Sequence, residues 1–553
     1  MLYLLATCCC ATAAAQQAPE KLPPAAQPGR QLQQPRRLEP VPEGAAIAVP
    51  EASAVNPPPG ADKISFKLAR LTVDGATALS ANEIKAYYAE RIGSVVSVAD
   101  MFAVAAAIEN EYRKRGYVTT RALLPEQKIT SGTVRILVVE GFISEVVYSP
   151  NLGPARPQVQ ALLGELTKAK PVNIADIERR LLLANDLRGI QVHGTLRPAA
   201  SERGASTLIV TAGRQPLDLS LIIDNRNSPF TGETEAIGRL SWNSFNRHAG
   251  TLSLQAKSAF PYRREHFAQA AYEQSIGANG LTAAVSTLAA ESRPGRNLRP
   301  LDVHSTVMSA AANLAYPIVR SRRLNLRLDG SFEYSDLDTD ILDTPYTRDR
   351  LRVLRVGLTY DRTDTWRGVN AGRITLSQGL DILDASPAGS EDLSRIEGRS
   401  DFTKLAAQFA RLQTLSNTLS VLASLSGQMT WDSLLASEQL GLGGPEFGRG
   451  YDTSEISGDK GLVGLLELRY QPTFEASLWD AAQFFVFYDL GKIWNVGPEL
   501  PRDESLASAG GGVRVQLPGR LYTSLEISQP LTHDVASEAD KPTRLFFSIA
   551  MHL

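Results

Sequence analysis

Residues Gly443–Asp452 read GGPEFGRGYD, and the fold can be worked out from this stretch and its neighbours. The stretch lies between two runs, Leu419–Met429 and Lys460–Arg469, in which apolar and polar residues alternate. Alternation with a period of two is typical of β-strands that have one apolar and one polar face. We therefore predict that a long loop, residues 430–459, joins two strands and carries Arg449 at its tip.

The same alternation continues from Leu217 to the last residue, Leu553, in about sixteen runs of the length that a tilted strand needs to cross a membrane. The connections alternate between long segments, such as 381–400 and 430–459, and tight turns, such as Pro518-Gly519-Arg520. An even, antiparallel barrel with both ends on one side produces this rhythm. The sequence therefore predicts a 16-stranded transmembrane β-barrel over residues 216–553. A soluble β-sandwich is the alternative.

A second short motif, Phe487-Tyr488-Asp489-Leu490-Gly491, lies on a strand that follows the long loop. An arginine side chain can hold a carboxylate with two parallel hydrogen bonds, which a lysine cannot do. Gly448 and Gly450 allow the backbone beside the arginine to turn sharply. We predict that the loop folds into the barrel lumen, where Arg449 pairs with Asp489. The alternative is an arginine on an exposed surface loop.

Two modules with helices precede the barrel, over residues 63–141 and 142–215. Each shows the order strand, helix, helix, strand, strand. Ser80 and Glu83 have the spacing of a capping box, and Asn173 is placed to cap a helix of the second module. A sheet that is covered by helices on one face leaves an edge strand to which an extended peptide can add through its main chain.

The first residues read as an export signal and a leader. Residues 1–15 are apolar and end in small residues, although a basic start is missing. Residues 16–62 are rich in Pro, Ala and Gln and are predicted to be disordered. Because Cys8, Cys9 and Cys10 are the three cysteines of the chain, removal of the signal would leave no thiol for disulfides, metal binding or catalysis.

Composition excludes several classes of function. The net charge of −2 gives no reason to expect binding to nucleic acid. The six histidines include no H-x-x-x-H pair, and no nucleophile, base or phosphate-binding loop stands in a recognisable arrangement. We predict no catalytic residues, no metal, no cofactor and no enzymatic activity.

The chain has two such modules, a barrel, and the motifs GRGYD (448–452) and FYDLG (487–491). In these features it resembles the outer-membrane transporters of two-partner secretion. These are the hemolysin secretion/activation proteins, which lie within the barrel-assembly superfamily. The resemblance covers about residues 64–553. It is most specific in the first module, where three short segments resemble the first POTRA domain of that family: Gly116-Tyr117-Val118-Thr119, Leu124-Pro125-Glu126-Gln127 and Val138-Val139-Glu140-Gly141.

The resemblance implies two POTRA domains, POTRA 1 (63–141) and POTRA 2 (142–215), and two site motifs. The loop-tip motif is Gly448, Arg449, Gly450 and Tyr451, and the motif on the barrel wall is Phe487, Asp489 and Gly491. Gly448 departs from the family, which usually has Val or Ile there, and we expect this glycine to loosen the tip. Leu553 departs from the usual aromatic last residue, and we expect less efficient insertion.

The resemblance also implies a function. We expect a bacterial outer-membrane pore, with the POTRA domains in the periplasm, that recognises and secretes a large, unfolded, β-rich exoprotein. Its other expected partners are outer-membrane lipid, periplasmic chaperones and the barrel-assembly machinery. A barrel-assembly-type insertase or translocase for other outer-membrane clients is the first alternative. A porin or surface enzyme with passive periplasmic domains is the second.

Overall fold

A computed structural model describes residues 56–200, 202–261, 264–473, 479–497 and 501–553. The predicted export signal, 1–15, and the predicted leader up to residue 55 lie outside these residues. The last residues of that leader were predicted to be disordered, but they are folded: Ala61 is buried, and its carbonyl accepts a hydrogen bond from the amide of Ala99. The folded part of the chain therefore includes Ala61, which packs at the start of the helix Val98–Lys114.

The first module has a small sheet and two helices. Its elements in chain order are β1 (Ser65–Lys67), β2 (Arg70–Asp74), α1 (Ala81–Lys85), β3 (Val95–Ser97), α2 (Val98–Lys114), β4 (Arg121–Leu123) and β5 (Thr133–Val139). The first strand of the predicted order is in fact two strands. β1 pairs with β3, whereas β2 belongs to the sheet β2–β5–β4. The predicted capping box is present, since Ser80 and Glu83 each accept a hydrogen bond from the other's amide.

The second module repeats the plan and is docked on the barrel. Its elements are β6 (Phe142–Tyr148), α3 (Arg156–Gly164), α4 (Ile174–Asn185), β7 (Ile190–Pro198) and β8 (Ala205–Arg214), with the sheet order β6–β8–β7. Asn173 caps α4 as predicted, its side chain accepting from the amide of Ala175. Ala249, in the first barrel turn, belongs to the module's apolar core, and Asp186 binds Arg320, the last residue of a barrel strand, at 2.7 Å.

The remaining strands are, in chain order, β9 (Leu217–Asp224), β10 (Thr234–Trp242), β11 (Thr251–Phe260), β12 (Glu265–Ile276), β13 (Leu281–Ser292), β14 (His304–Arg320), β15 (Leu324–Ile341), β16 (Thr344–Thr363), β17 (Gly368–Gly379), β18 (Thr403–Thr414), β19 (Leu419–Thr430), β20 (Leu440–Leu442), β21 (Ile456–Gly458), β22 (Lys460–Tyr470), β23 (Ala481–Trp494), β24 (Asp503–Leu517), β25 (Leu521–Pro530) and β26 (Arg544–His552). β9–β19 and β22–β26 close into an antiparallel barrel of sixteen strands, in which β26 pairs with β9. This confirms the predicted fold class of two α+β modules followed by a 16-stranded barrel.

The barrel wall has an apolar outer face and a mixed inner face. On β23, Phe485, Phe487 and Asp489 point inward and are buried, whereas their neighbours Val486 and Leu490 point outward and are more than half exposed. An apolar outer face on a closed barrel is the arrangement that lipid contact requires. Among the described residues, no helix is long and apolar enough to span a membrane.

The longest connections follow the predicted rhythm, whereas two connections at the same end of the barrel are short. Residues 380–402 and 431–459 are long, and the turn at 518–520 is tight. At the end of the barrel away from the second module, residues 261–264 join β11 to β12, and Leu342-Asp343 alone joins β15 to β16. At that position the chain lengthens the strands instead of the loop, since β15 has 18 residues and β16 has 20. The segment 431–459 is the sixth connection at this end, and we call it loop 6.

Candidate functional site

The tip of loop 6 lies inside the barrel, where Arg449 is only 1% exposed. Its Nε and Nη2 atoms donate hydrogen bonds to the two carboxylate oxygens of Asp489 at 3.0 and 2.9 Å. The backbone amides of Gly448 and Arg449 donate to the same carboxylate at 3.1 and 3.0 Å. Asp489 therefore accepts four hydrogen bonds from the tip. The structure brings together the two residues that the sequence had paired, in the bidentate geometry that arginine allows.

A second carboxylate, Glu467 on β22, was missed by the sequence reasoning. Nη1 of Arg449 donates to Glu467 at 2.5 Å. Arg469 and Arg514 also bind Glu467, at 2.8 and 2.9 Å, so three guanidinium groups surround one buried acid. The sequence did contain a signal for this residue. Glu467 lies four residues after the inward-facing Val463 on the same strand, so both side chains point into the barrel, and Glu467 is an acid in an otherwise apolar run.

The wall motif contacts the loop at each of its three positions. Phe487 lies under the guanidinium of Arg449, with 3.4 Å between the guanidinium carbon and the ring centre, which adds a cation–π contact. Gly491 makes room for the loop, since a Cβ there would approach a methyl carbon of Leu442 to 2.7 Å. Phe487, Asp489 and Gly491 are alternate residues of β23, and all three face the inside of the barrel. The spacing F-x-D-x-G is therefore that of one face of a strand.

The two glycines of the tip are required by the backbone. Gly448 has φ +77°, and a Cβ there would lie 2.8 Å from a methyl carbon of Leu506. A Cβ on Gly450 would lie 2.9 Å from the backbone nitrogen of Pro530. In this conformation Gly448 presents its amide to Asp489. The expectation that Gly448 loosens the tip stays a prediction, and the geometry gives a reason for glycine at this position.

Tyr451 ties the tip to the last connection of the barrel, residues 531–543. Its hydroxyl lies 2.8 Å from the hydroxyl of Thr532 and accepts the amide of Thr532 at 3.0 Å. Nearby, Glu455 accepts the amide of Ala536 at 2.7 Å. Burial, reinforced by the charge of Asp452, raises the pKa of Glu455 to about 7. This part of the junction therefore carries a carboxyl group that titrates near neutrality.

Loop 6 is anchored at two further places. In its first half, Glu438 is buried and binds Arg355 of β16 at 2.7 Å and Lys404 of β18 at 2.6 Å. At its end, Asp459 is buried and binds Arg395, in the loop 380–402, at 2.5 Å. The loop thus spans the lumen and is fixed to the wall and to a neighbouring loop through paired charges.

Apolar packing complements these charges. The buried loop residues pack against inward-facing wall residues in one cluster that contains Leu440, Leu442, Phe447, Tyr451, Ile456, Val463, Leu465, Phe485, Phe487 and Ile493. Over the residues that the structure describes, no group of three or more His, Cys, Asp or Glu side chains is placed to hold a metal ion. The paired charges and apolar contacts at this site hold a loop inside the barrel.

A 16-stranded barrel with two preceding α/β modules and a loop folded into its lumen defines an outer-membrane transporter of the POTRA–barrel type. Residues 204–515 match the family described as "Haemolysin secretion/activation protein ShlB/FhaC/HecB", and residues 66–141 match the "POTRA domain, ShlB-type". The chain belongs to the haemolysin secretion/activation family. It is an outer-membrane transporter of two-partner secretion, with its POTRA region in the periplasm.

Individual relatives agree with this assignment. The chain is 23% identical over 460 residues to the heme/hemopexin transporter protein HuxB of Haemophilus influenzae, covering 81% of this chain and 80% of HuxB. It is 24% identical over 449 residues to the outer membrane transporter CdiB of Dickeya dadantii, covering 78% and 77%. The solved structure of CdiB from Escherichia coli has the same fold, with a TM-score of 0.74 at 20% identity over 95% of each chain.

Proposed function

We propose that this transporter carries an unfolded, β-rich exoprotein through its barrel, and that loop 6 is the gate that the exoprotein must displace. The observation that carries the proposal is the pair of buried ion pairs that Arg449 forms in the lumen, one with Asp489 and one with Glu467. A loop that occupies the lumen blocks a polypeptide, so transport requires it to move.

The energetics of these buried ion pairs suit a gate. Breaking a buried ion pair by removing one partner costs about 3–5 kcal/mol, whereas an exposed pair contributes only about 0–1 kcal/mol. The link is therefore strong while the lumen around Arg449 is closed. It weakens sharply once water or a polar peptide enters beside it, because the charges are then solvated. Such a link holds the resting state and releases when the client arrives.

The periplasmic part serves capture in this proposal. We assign residues 63–141 to POTRA 1, 142–215 to POTRA 2 and 216–553 to the barrel. The edges of the sheet β6–β8–β7 offer main-chain groups to an extended client segment. Asp186 of this module binds Arg320 at the end of β14, so a segment bound to the module would lie near the entrance of the barrel.

The remaining parts of the assignment concern energy and partners. Client folding outside the cell would drive transport, since the sequence carries no nucleotide-binding motif and we assign it no enzymatic activity and no cofactor. The outer face of the barrel would contact lipid. Periplasmic chaperones and the barrel-assembly machinery would act on this chain during its own insertion.

Co-expression with a large exported protein encoded beside this gene tests the proposal. Arg449→Ala should insert into the outer membrane but release at least about tenfold less client, an effect of roughly 1.4 kcal/mol, because a tip without its anchor no longer couples the arrival of the client to the opening of the loop. Arg399→Ala is the matched control, because the side chain of this arginine is exposed and binds only its neighbour Asp401 in the described contacts, and the substitution keeps the backbone amide. Normal secretion by Arg449→Ala would contradict the gate. Loss of other outer-membrane barrels on deletion of the gene, with secretion unchanged, would favour an insertase instead.

A further inference from the structure

The upper part of β16 is a strand edge without a strand beside it. The pairing of β17 ends with Gly379 opposite Val353, while β16 continues to Thr344 in pairing with β15. The stretch 344–352 therefore has a strand on one side only, over about 30 Å at roughly 3.3 Å per residue. An edge of this kind presents a row of N–H and C=O groups that can pair with another chain.

Residues 380–394, which we call the edge cover, occupy this row. The amide of Arg348 donates to the carbonyl of Asp392 at 2.6 Å. Arg350 exchanges two hydrogen bonds with Ser386: its carbonyl accepts the serine amide at 3.0 Å, and its amide donates to the serine hydroxyl at 2.9 Å. The edge cover forms no strand, yet it contacts the alternate residues that an added strand would use.

The edge cover is connected to loop 6. Arg395, just after the cover, binds Asp459 at the end of loop 6 at 2.5 Å. The hydroxyl of Ser394 accepts the amide of Ala436 in loop 6 at 3.0 Å, and the amide of Ser394 donates to Asp349 of β16 at 2.9 Å. Displacement of loop 6 therefore removes contacts that hold the cover against β16.

We propose that residues 344–352 are a docking edge on which the exported polypeptide forms its first extracellular strand, after the edge cover has moved aside. The inference rests on the proposed function and adds the place where the client folds. The occupant is an extended β-strand, because the groups on offer are backbone donors and acceptors at alternate residues. Recognition by backbone groups tolerates many sequences, as a transported chain requires.

Charged side chains on the hairpin formed by β15 and β16 protect this edge from pairing with other proteins when no client is present. Arg350 binds Asp336 and Asp338 of β15, at 3.6 and 2.9 Å. Charged side chains on an edge strand disfavour indiscriminate pairing with other proteins. The docking edge is thus protected by its charges and by its cover until a client emerges next to it.

Arg350→Pro tests the docking edge directly. Proline removes the amide that points away from β15 and leaves the pairing with β15 intact, which edge strands tolerate. Arg350→Ala is the matched control, since it removes the same side chain and keeps the amide. The measurement is the rate at which protease-resistant client appears outside cells that co-express the client.

We expect Arg350→Pro to lower this rate roughly tenfold relative to Arg350→Ala, with equal amounts of barrel in the membrane. Equal rates for the two variants would overturn the docking edge, whereas absence of client outside wild-type cells would overturn the proposed function instead. If the proline variant fails to insert, the docking edge is tested instead by a photo-crosslinking residue that replaces Tyr346. It should form adducts with a stalled client, while one at Phe260, also at the outer end of a strand, should not. Absence of an adduct at Tyr346 overturns the proposal.

Discussion

Replacing Asp489 with alanine should release the tip of loop 6 from the barrel wall. The substitution removes the carboxylate that accepts four hydrogen bonds, two from the side chain of Arg449 and two from the amides of Gly448 and Arg449. It leaves Arg449 with Glu467 as its remaining carboxylate in the tip site. The tip should therefore leave its site more often, while the barrel itself stays closed.

The size of the effect follows from burial. Removing one partner of a buried ion pair costs about 3–5 kcal/mol, and we take the lower value because Glu467 still compensates the charge of Arg449. A cost of about 3 kcal/mol raises the open population of the tip on the order of 100-fold. Asp489→Asn keeps an oxygen acceptor and loses the charge, so its effect should lie between those of wild type and Asp489→Ala.

Trypsin reports this population, because Arg449 is the one lysine or arginine within residues 431–459. Cleavage after a buried arginine tracks the open population when opening and closing are fast. Arg399 is exposed in the loop 380–402 and serves as the internal reference site. The ratio of cleavage after Arg449 to cleavage after Arg399 should rise on the order of 100-fold in Asp489→Ala. An unchanged ratio would refute the assignment of Asp489 as the anchor.

Three further predictions follow from the same geometry. Against the expectation drawn from the family, Gly448→Val should raise the cleavage ratio at least about fivefold, because φ +77° costs a side-chain-bearing residue about 1–3 kcal/mol. A ratio like that of wild type would show that the backbone can adjust. Burial, together with the charge of Asp452, raises the pKa of Glu455 to about 7, above its ordinary 4.5, so the stability of this junction should fall as pH rises from about 4.5 to 7. Amide exchange around residues 451–456, corrected for the intrinsic rate, should show that trend in wild type, and Glu455→Gln should remove it. Glu140→Ala removes a carboxylate that accepts hydrogen bonds from the hydroxyl of Tyr112 at 2.6 Å and from the amide of Ala78 at 2.8 Å. The substitution should therefore lower the melting temperature of the first module by at least roughly 4–8 °C. An unchanged melting temperature would contradict this role of Glu140.

The features that the sequence predicted are those carried by local pattern. Period-two alternation predicted the barrel, and the capping box at Ser80 and the cap at Asn173 predicted helix starts, because each depends only on residues close in the chain. The pairing of Arg449 with Asp489 came from two motifs about forty residues apart. It could be predicted because the chain resembles a family in which the loop-tip arginine pairs with the aspartate of the strand motif.

The features that the sequence did not predict depend on closure of the barrel. Glu467, Glu438 and Asp459 find their partners only after distant strands and loops meet, so no local pattern specifies those pairs. The break between β1 and β2 also escaped the sequence, since the two short strands belong to different sheets. The extension of β15 and β16 was hidden because the strand pattern continues where a long loop was expected.

The central claim is that loop 6 rests in the lumen and moves when a client passes. It is tested by trypsin added outside intact cells whose transporter holds a client stalled by a folded domain that cannot cross. Cleavage after Arg449, measured against cleavage after Arg399, should be low without client and should rise at least about tenfold with the stalled client. Equal cleavage with and without the stalled client would contradict the claim.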